Sequence, residues 1–155
     1  MTLFINSCVR NASRTERIAR ALLDRLGEAY TELRLESVGL QPLTGETLER
    51  RSALIEQGNY DVPMFDMAKQ FAAADCIVIA APFWDYSFPA LLKTYLENIY
   101  VTGIVSRYGP DGQPVGLCRA KKLYYVTTAG GPYVPTFSYD CIKALAQIAF
   151  GIPET

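Results

Sequence analysis

Histidine is absent from all 155 residues. A Ser-His-Asp triad and any zinc site built on imidazole are thereby excluded. Cysteine is scarce: Cys8, Cys76, Cys118 and Cys141 are widely spaced, with no Cys-x-x-Cys pair. Two of them lie in core-like stretches, so they read as free buried thiols rather than disulfides or cluster ligands. An excess of either charge is also missing, since 15 Lys and Arg face 16 Asp and Glu for a net charge of −1. With no basic stripe to hold a phosphate backbone, nucleic acid is disfavoured and a small molecule is the expected partner. No apolar run reaches the roughly 18 residues of a membrane span, and strand-like sequence begins at once with no signal segment. The expectation is a cytoplasmic protein without a membrane partner. What is abundant is apolar sequence, 50% of the chain, enough for a single compact domain over residues 1–155.

The apolar residues fall into alternating strand and helix patterns. Leu3, Phe4 and Ile5 make a short strand, and a polar loop from Asn6 to Thr15 leads to a helix with the stripe Ile18, Leu22, Leu23 and Leu26. Residues 30–38 alternate as an edge strand does, with Leu33 and Leu35 opposite Glu32, Arg34 and Glu36. Helices are expected around Glu46 to Ile55 and from Val62 to Ala74. Cys76 to Ala81 is apolar without alternation, the pattern of a parallel strand buried on both faces, and Pro82 ends it. A helix is predicted to start at Ser87, with Pro89 in its first turn and Leu92, Tyr95, Leu96 and Ile99 inward. Residues 104–117 read as a hairpin excursion turning at Pro110, Asp111 and Gly112. A fourth strand runs from Leu123 to Thr128, and a last helix from Ser138 to Phe150 buries Ile142, Leu145, Ala146 and Ala149.

Three strand ends carry chemistry. After strand one, Ser7, Ser13, Arg14 and Thr15 surround the start of a helix, whose free N–H groups and positive dipole end suit a phosphate. Beyond strand three stand Pro82, Phe83, Trp84, Asp85 and Tyr86. Past strand four, Thr128, Gly130 and Gly131 would let backbone approach a flat ligand. In a parallel sheet of order 2-1-3-4 the first two of these loops flank the switch point, where ligands bind.

In these residues the chain resembles the flavodoxin-like NAD(P)H oxidoreductases, in particular the FMN-dependent NADH azoreductase and quinone reductase branch. The similar segments are Ser7 with Ser13-Arg14-Thr15, Ala81 to Lys93, Tyr108 to Leu117 with its Pro114-Val115-Gly116-Leu117, and Thr127 to Gly131. The resemblance implies an α/β, flavodoxin-like three-layer fold with a parallel sheet. It implies FMN phosphate on Ser7, Ser13, Arg14 and Thr15, ring contacts from Pro82, Phe83, Trp84, Asp85 and Tyr86, and more from Thr128, Gly130 and Gly131. NADH or NADPH would donate two electrons by ping-pong turnover to quinones, azo compounds or nitroaromatics, within a homodimer. No catalytic residue is assigned beyond the cofactor; lacking histidine, protons come from water or a group such as Tyr133. Phe83-Trp84-Asp85-Tyr86 replaces the commoner Met-Tyr-Asn-Phe type of segment, so an acid stands where the family often has an amide. Family members usually continue past the position of Thr155 into a fifth strand and final helix, so a shortened domain with the fifth strand missing is expected.

A rival reading rests on Cys8, five residues, then Arg14 and Thr15. That spacing matches the Cys-x5-Arg-Ser/Thr loop of low-molecular-weight phosphatases and arsenate reductases, where the cysteine is the thiolate nucleophile and the arginine clamps the phosphoryl group. It leaves the segment Pro82 to Tyr86 and the Gly130-Gly131 pair unexplained.

Overall fold

The computed structural model describes residues 1–155. Strands β1 (Thr2–Asn6), β2 (Tyr30–Arg34), β3 (Cys76–Ala80) and β6 (Lys122–Val126) form one parallel sheet in the order β2-β1-β3-β6. This is the expected 2-1-3-4 arrangement, the fourth lane being numbered β6 because the hairpin contributes β4 (Ser106–Tyr108) and β5 (Pro114–Gly116). Successive side chains of a strand point to opposite faces. Phe4, Val78 and Ala80 therefore pack with Ala19 and Leu23 of α1 (Arg14–Leu26) on one face. Leu3, Ile5, Ile77, Ile79 and Leu123 pack on the other with α3 (Asp66–Ala73), α4 (Ala90–Ile99) and α5 (Tyr139–Ala144). Helix, sheet, helix makes three layers; α2 (Gly45–Glu56) buries no residue fully and lies at the periphery.

Several local expectations are corrected. In α1 the buried line is Thr15, Ala19 and Leu23, while Ile18 is 48% exposed. Ala19 lets the helix approach the sheet closely, which rotates Ile18 to the flank. Strand β2 ends at Arg34 because a 3-10 turn over Leu35–Ser37 drives Leu35 into the core. The segment before β3 opens with a 3-10 turn at Pro63–Phe65, and the α-helix starts only at Asp66. Ser87 does not cap α4: Pro89 holds the cap position, and the Ser87 hydroxyl donates to the Phe137 carbonyl at 2.7 Å. Strand β6 stops at Val126, and α5 continues as a wider π-type helix over Leu145–Phe150.

The end of the π-type segment meets the hairpin so closely that a Cβ on Gly116 would lie 2.1 Å from the Gly151 nitrogen. Beyond it, Glu154 pairs parallel with Lys122 at the outer side of β6, its carbonyl accepting from the Leu123 N–H at 2.8 Å. This is a single bridge beside β6, and the sheet itself has four strands. No helix is long and apolar enough to cross a membrane.

Candidate functional site

The carboxyl ends of β1, β3 and β6 open into one cleft of about 320 Å³. Of the residues singled out from sequence, Ser13, Arg14, Thr15, Pro82, Phe83, Trp84, Thr128 and Gly130 line it. Four were not singled out for binding: Cys8, Val9, Arg10 and Ala12. Ser7, Asp85, Tyr86 and Gly131 are not on its wall. The Ser7 hydroxyl is buried and donates to the Ala80 carbonyl at 2.8 Å, fastening the end of β1 to that of β3. Asp85 and Tyr86 form a two-residue turn between Trp84 and Ser87 with φ of 50° and 64°. Positive φ at both central positions is the type I′ requirement, and neither residue is glycine, so the turn holds strain next to the cleft.

Ser13 is the N-cap of α1, accepting from the Glu16 N–H at 3.2 Å. That bond uses a lone pair, so the hydroxyl proton is free to donate to a ligand. Arg14 is exposed and forms no ion pair, whereas the neighbouring Glu16 is held by Arg20 and Arg34. Burial alone would raise the Glu16 carboxyl, but hydrogen bonds from these two guanidinium groups outweigh it and hold the group below its usual range. Thr15 joins the phosphate-type loop to the glycine loop through a 2.7 Å hydroxyl contact with Thr128.

The aromatic segment is fixed from two sides. The Phe83 N–H donates to the Thr128 carbonyl at 3.1 Å, and the Phe83 ring meets Tyr133 at 5.0 Å and Tyr86 at 6.2 Å, both edge-on. Across the mouth the Arg10 guanidinium lies 6.0 Å from the Trp84 ring centre. No periodic pattern marks Arg10; only the folded loop shows the contact.

Two observations bear on whether a flat, phosphorylated cofactor fits. Gly130 and Gly131 lie outside the positive-φ region, and a Cβ on either would meet nothing within 4 Å. The fold itself does not need glycine there, but a ring lying against that backbone would. The Thr127 hydroxyl oxygen, in the same loop, is buried without a partner. The cleft therefore combines a helix start with donors, an aromatic wall and a glycine edge, and FMN fits its chemistry.

The Cys8 thiol is 1% exposed and sits 3.8 Å from the Ala80 carbonyl, to which it can donate. Burial pushes it above its ordinary value. A thiolate nucleophile needs the opposite shift.

A family model described as flavodoxin-like fold matches residues 1–147. Among curated relatives, the FMN-dependent NADH:quinone oxidoreductase 2 of Clostridium acetobutylicum is 37% identical over 133 residues, 83% of this chain and 66% of its own. The FMN-dependent NADH:quinone oxidoreductase of Coprothermobacter proteolyticus is 35% identical over 127 residues, 79% of this chain and 63% of its own. The chain thus spans just under two thirds of the length of these relatives. Among solved structures, an azoreductase from Bacillus anthracis superposes with a TM-score of 0.80 at 22% identity, covering 99% of this chain and 82% of that one. An FMN-dependent NADH-azoreductase of the same species, in complex with FMN, gives 0.80 at 21%, covering 98% and 82%. At such identities these two likenesses speak for the fold.

Proposed function

The chain belongs to the family of flavodoxin-like fold, and from that premise we propose that it is an FMN-dependent NAD(P)H oxidoreductase. Its acceptors are quinones, azo compounds or nitroaromatics, reduced by two electrons in ping-pong turnover. The observation that carries the reading is the convergence of three strand ends on one cleft, one bringing a helix start with hydroxyl and guanidinium donors, one aromatic rings and one a glycine-bearing loop. The names of the curated relatives support the same chemistry.

Bound FMN would supply the hydride-accepting, two-electron chemistry that the residues of the cleft hold in place. In this reading Ser13, Arg14 and Thr15 hold the phosphate with charge-assisted bonds at the start of α1. Pro82, Phe83 and Trp84 bound the ring, while Thr128 and Gly130 bring backbone against its edge. Backbone N–H groups near Gly130 and Gly131 favour negative charge on the reduced ring. Tyr133, beside Phe83 at the rim, is a phenol placed where an acceptor's proton could be supplied, with water the other source.

Visible absorption of the purified protein with added FMN, followed by NADH and NADPH oxidation with a quinone, tests the assignment. Cys8→Ser separates it from the phosphatase alternative. Quinone reduction is expected in the wild type and largely retained in the variant. Hydrolysis of an aryl phosphate that vanishes in Cys8→Ser, with no NAD(P)H oxidation in the presence of FMN, would assign the loop to a phosphatase.

A further inference from the structure

Two groups of the wrong sign for an anion site belong to the segment from Cys8 to Glu16: the Cys8 carbonyl and the Glu16 carboxylate. Arg34, the last residue of β2, holds both. Its Nη1 donates to the Cys8 carbonyl at 3.2 Å and its Nη2 to Glu16 Oε1 at 2.5 Å. Arg20 Nη2 shares Glu16 Oε1 at 2.7 Å and reaches the Glu32 carboxylate at 2.9 Å. Glu32 Oε1 also accepts from Asn6 Nδ2 at 2.9 Å, and Asn6 Oδ1 accepts from the Cys8 N–H at 3.0 Å. The chain of bonds closes on the loop, so Cys8 is fixed at its N–H from β1 and at its carbonyl from β2. Within the cluster two carboxylates balance two guanidinium groups, and Arg14 is left over to meet a ligand.

We propose that Arg34 is a positioning residue of the phosphate loop: by engaging Glu16 and the Cys8 carbonyl it stops them opposing a bound phosphate, and so makes the cleft select FMN over riboflavin. This rests on the flavin assignment above and deepens it. Without Arg34, Glu16 keeps only Arg20, and its less compensated charge, on the first turn of α1, makes the potential at the helix start less favourable to a phosphate. Riboflavin, which has the same ring and no phosphate, is indifferent to that change. A purely structural role for Arg34 would weaken both ligands alike.

The test is titration of FMN and of riboflavin, followed by quenching of flavin fluorescence, into the wild type, Arg34→Met, Arg34→Lys, Glu16→Gln and Arg34→Met with Glu16→Gln. Arg34→Met is expected to weaken FMN about five- to tenfold, the scale of one ordinary hydrogen bond, and riboflavin by less than about twofold. Arg34→Lys should fall between, since a point charge replaces the fork. Adding Glu16→Gln to Arg34→Met should recover most of the FMN affinity. Equal losses for the two flavins, or no recovery in the double variant, overturn the proposal. Should Arg34→Met fail to fold, Glu16→Gln alone decides: FMN affinity is expected to hold or rise, and a loss beyond about threefold overturns the proposal. A wild type that binds both flavins equally refutes this inference only, whereas one that binds neither refutes the flavin assignment itself.

Discussion

Ser13 has two tasks, and they are separable by experiment. As the N-cap it accepts from the Glu16 N–H, and as a donor it points toward the cleft that it lines. Ser13→Ala is expected to lower stability of the cofactor-free protein by about 1 kcal/mol, the usual cost of a lost cap. FMN binding should weaken by about 1–3 kcal/mol in the same variant. Arg14→Ala should weaken FMN comparably yet leave the cofactor-free protein as stable as before, because Arg14 is exposed and pairs with nothing. Calorimetric titration and urea unfolding read the two effects separately, and unchanged FMN affinity in both variants would remove the loop from the site. Glu16 gives the pH dependence. Its folded-state pKa lies below the ordinary 4.5, so its contribution to stability is fully present above that value and is lost as pH falls through the lower one. Unfolding free energy should therefore decline below about pH 4.5, and Glu16→Gln should flatten that decline. An acid limb of the same slope in the variant would show that Glu16 is not its source.

At the scale of elements, the parallel strands and the loops beyond them follow different rules. Strands β1 and β3 read directly from sequence because residues buried on both faces must be apolar. The loops are fixed by long-range partners: Phe83 by the Thr128 carbonyl, Ser87 by the Phe137 carbonyl, Thr15 by Thr128. For that reason the local pattern at Ser87, which suggests a helix cap, and at Ser7, which suggests a phosphate donor, does not show that their hydroxyls donate to the Phe137 and Ala80 carbonyls. The hairpin is docked with equal stringency. Gly116→Ala places a Cβ 2.1 Å from backbone atoms of Phe150 and Gly151, which no side-chain rotation can relieve. Urea unfolding of this variant is expected to show a loss of about 1–3 kcal/mol, the cost of overpacking against backbone. A loss below about 0.5 kcal/mol would mean that the hairpin and the π-type segment separate easily.

For the whole molecule, homodimerisation remains an expectation drawn from family resemblance and aromatic content. Among the aromatic residues around the site, Phe88 is buried and Phe83, Trp84 and Tyr100 are only part-exposed. The large rings open to solvent near the cleft are Tyr86, Tyr133 and Phe137. These are the better candidates for contact with a second copy. Light scattering at micromolar concentration with FMN present should report twice the mass of the chain, 17.2 kDa. A monomer under those conditions removes the dimer.

Composition and patterning by themselves determined the buried strands, the helix stripes and the polar, aromatic and glycine-rich loops at three strand ends, while the flavodoxin-like fold and its 2-1-3-4 order came from the family resemblance. Buried parallel strands, helix stripes and strand-end Gly, Pro and aromatic residues each leave a local signature. The absence of histidine likewise removed whole classes of mechanism without any coordinates. Only the tertiary structure decided which of the chosen residues share one cleft and which are held elsewhere. It alone revealed that Arg10 reaches Trp84, that the Cys8 thiol is buried, and that Arg34 braces the loop from a neighbouring strand. Such contacts join residues up to tens of positions apart, and a local pattern of polarity carries no record of which partner a side chain will meet once the sheet brings the strand ends together.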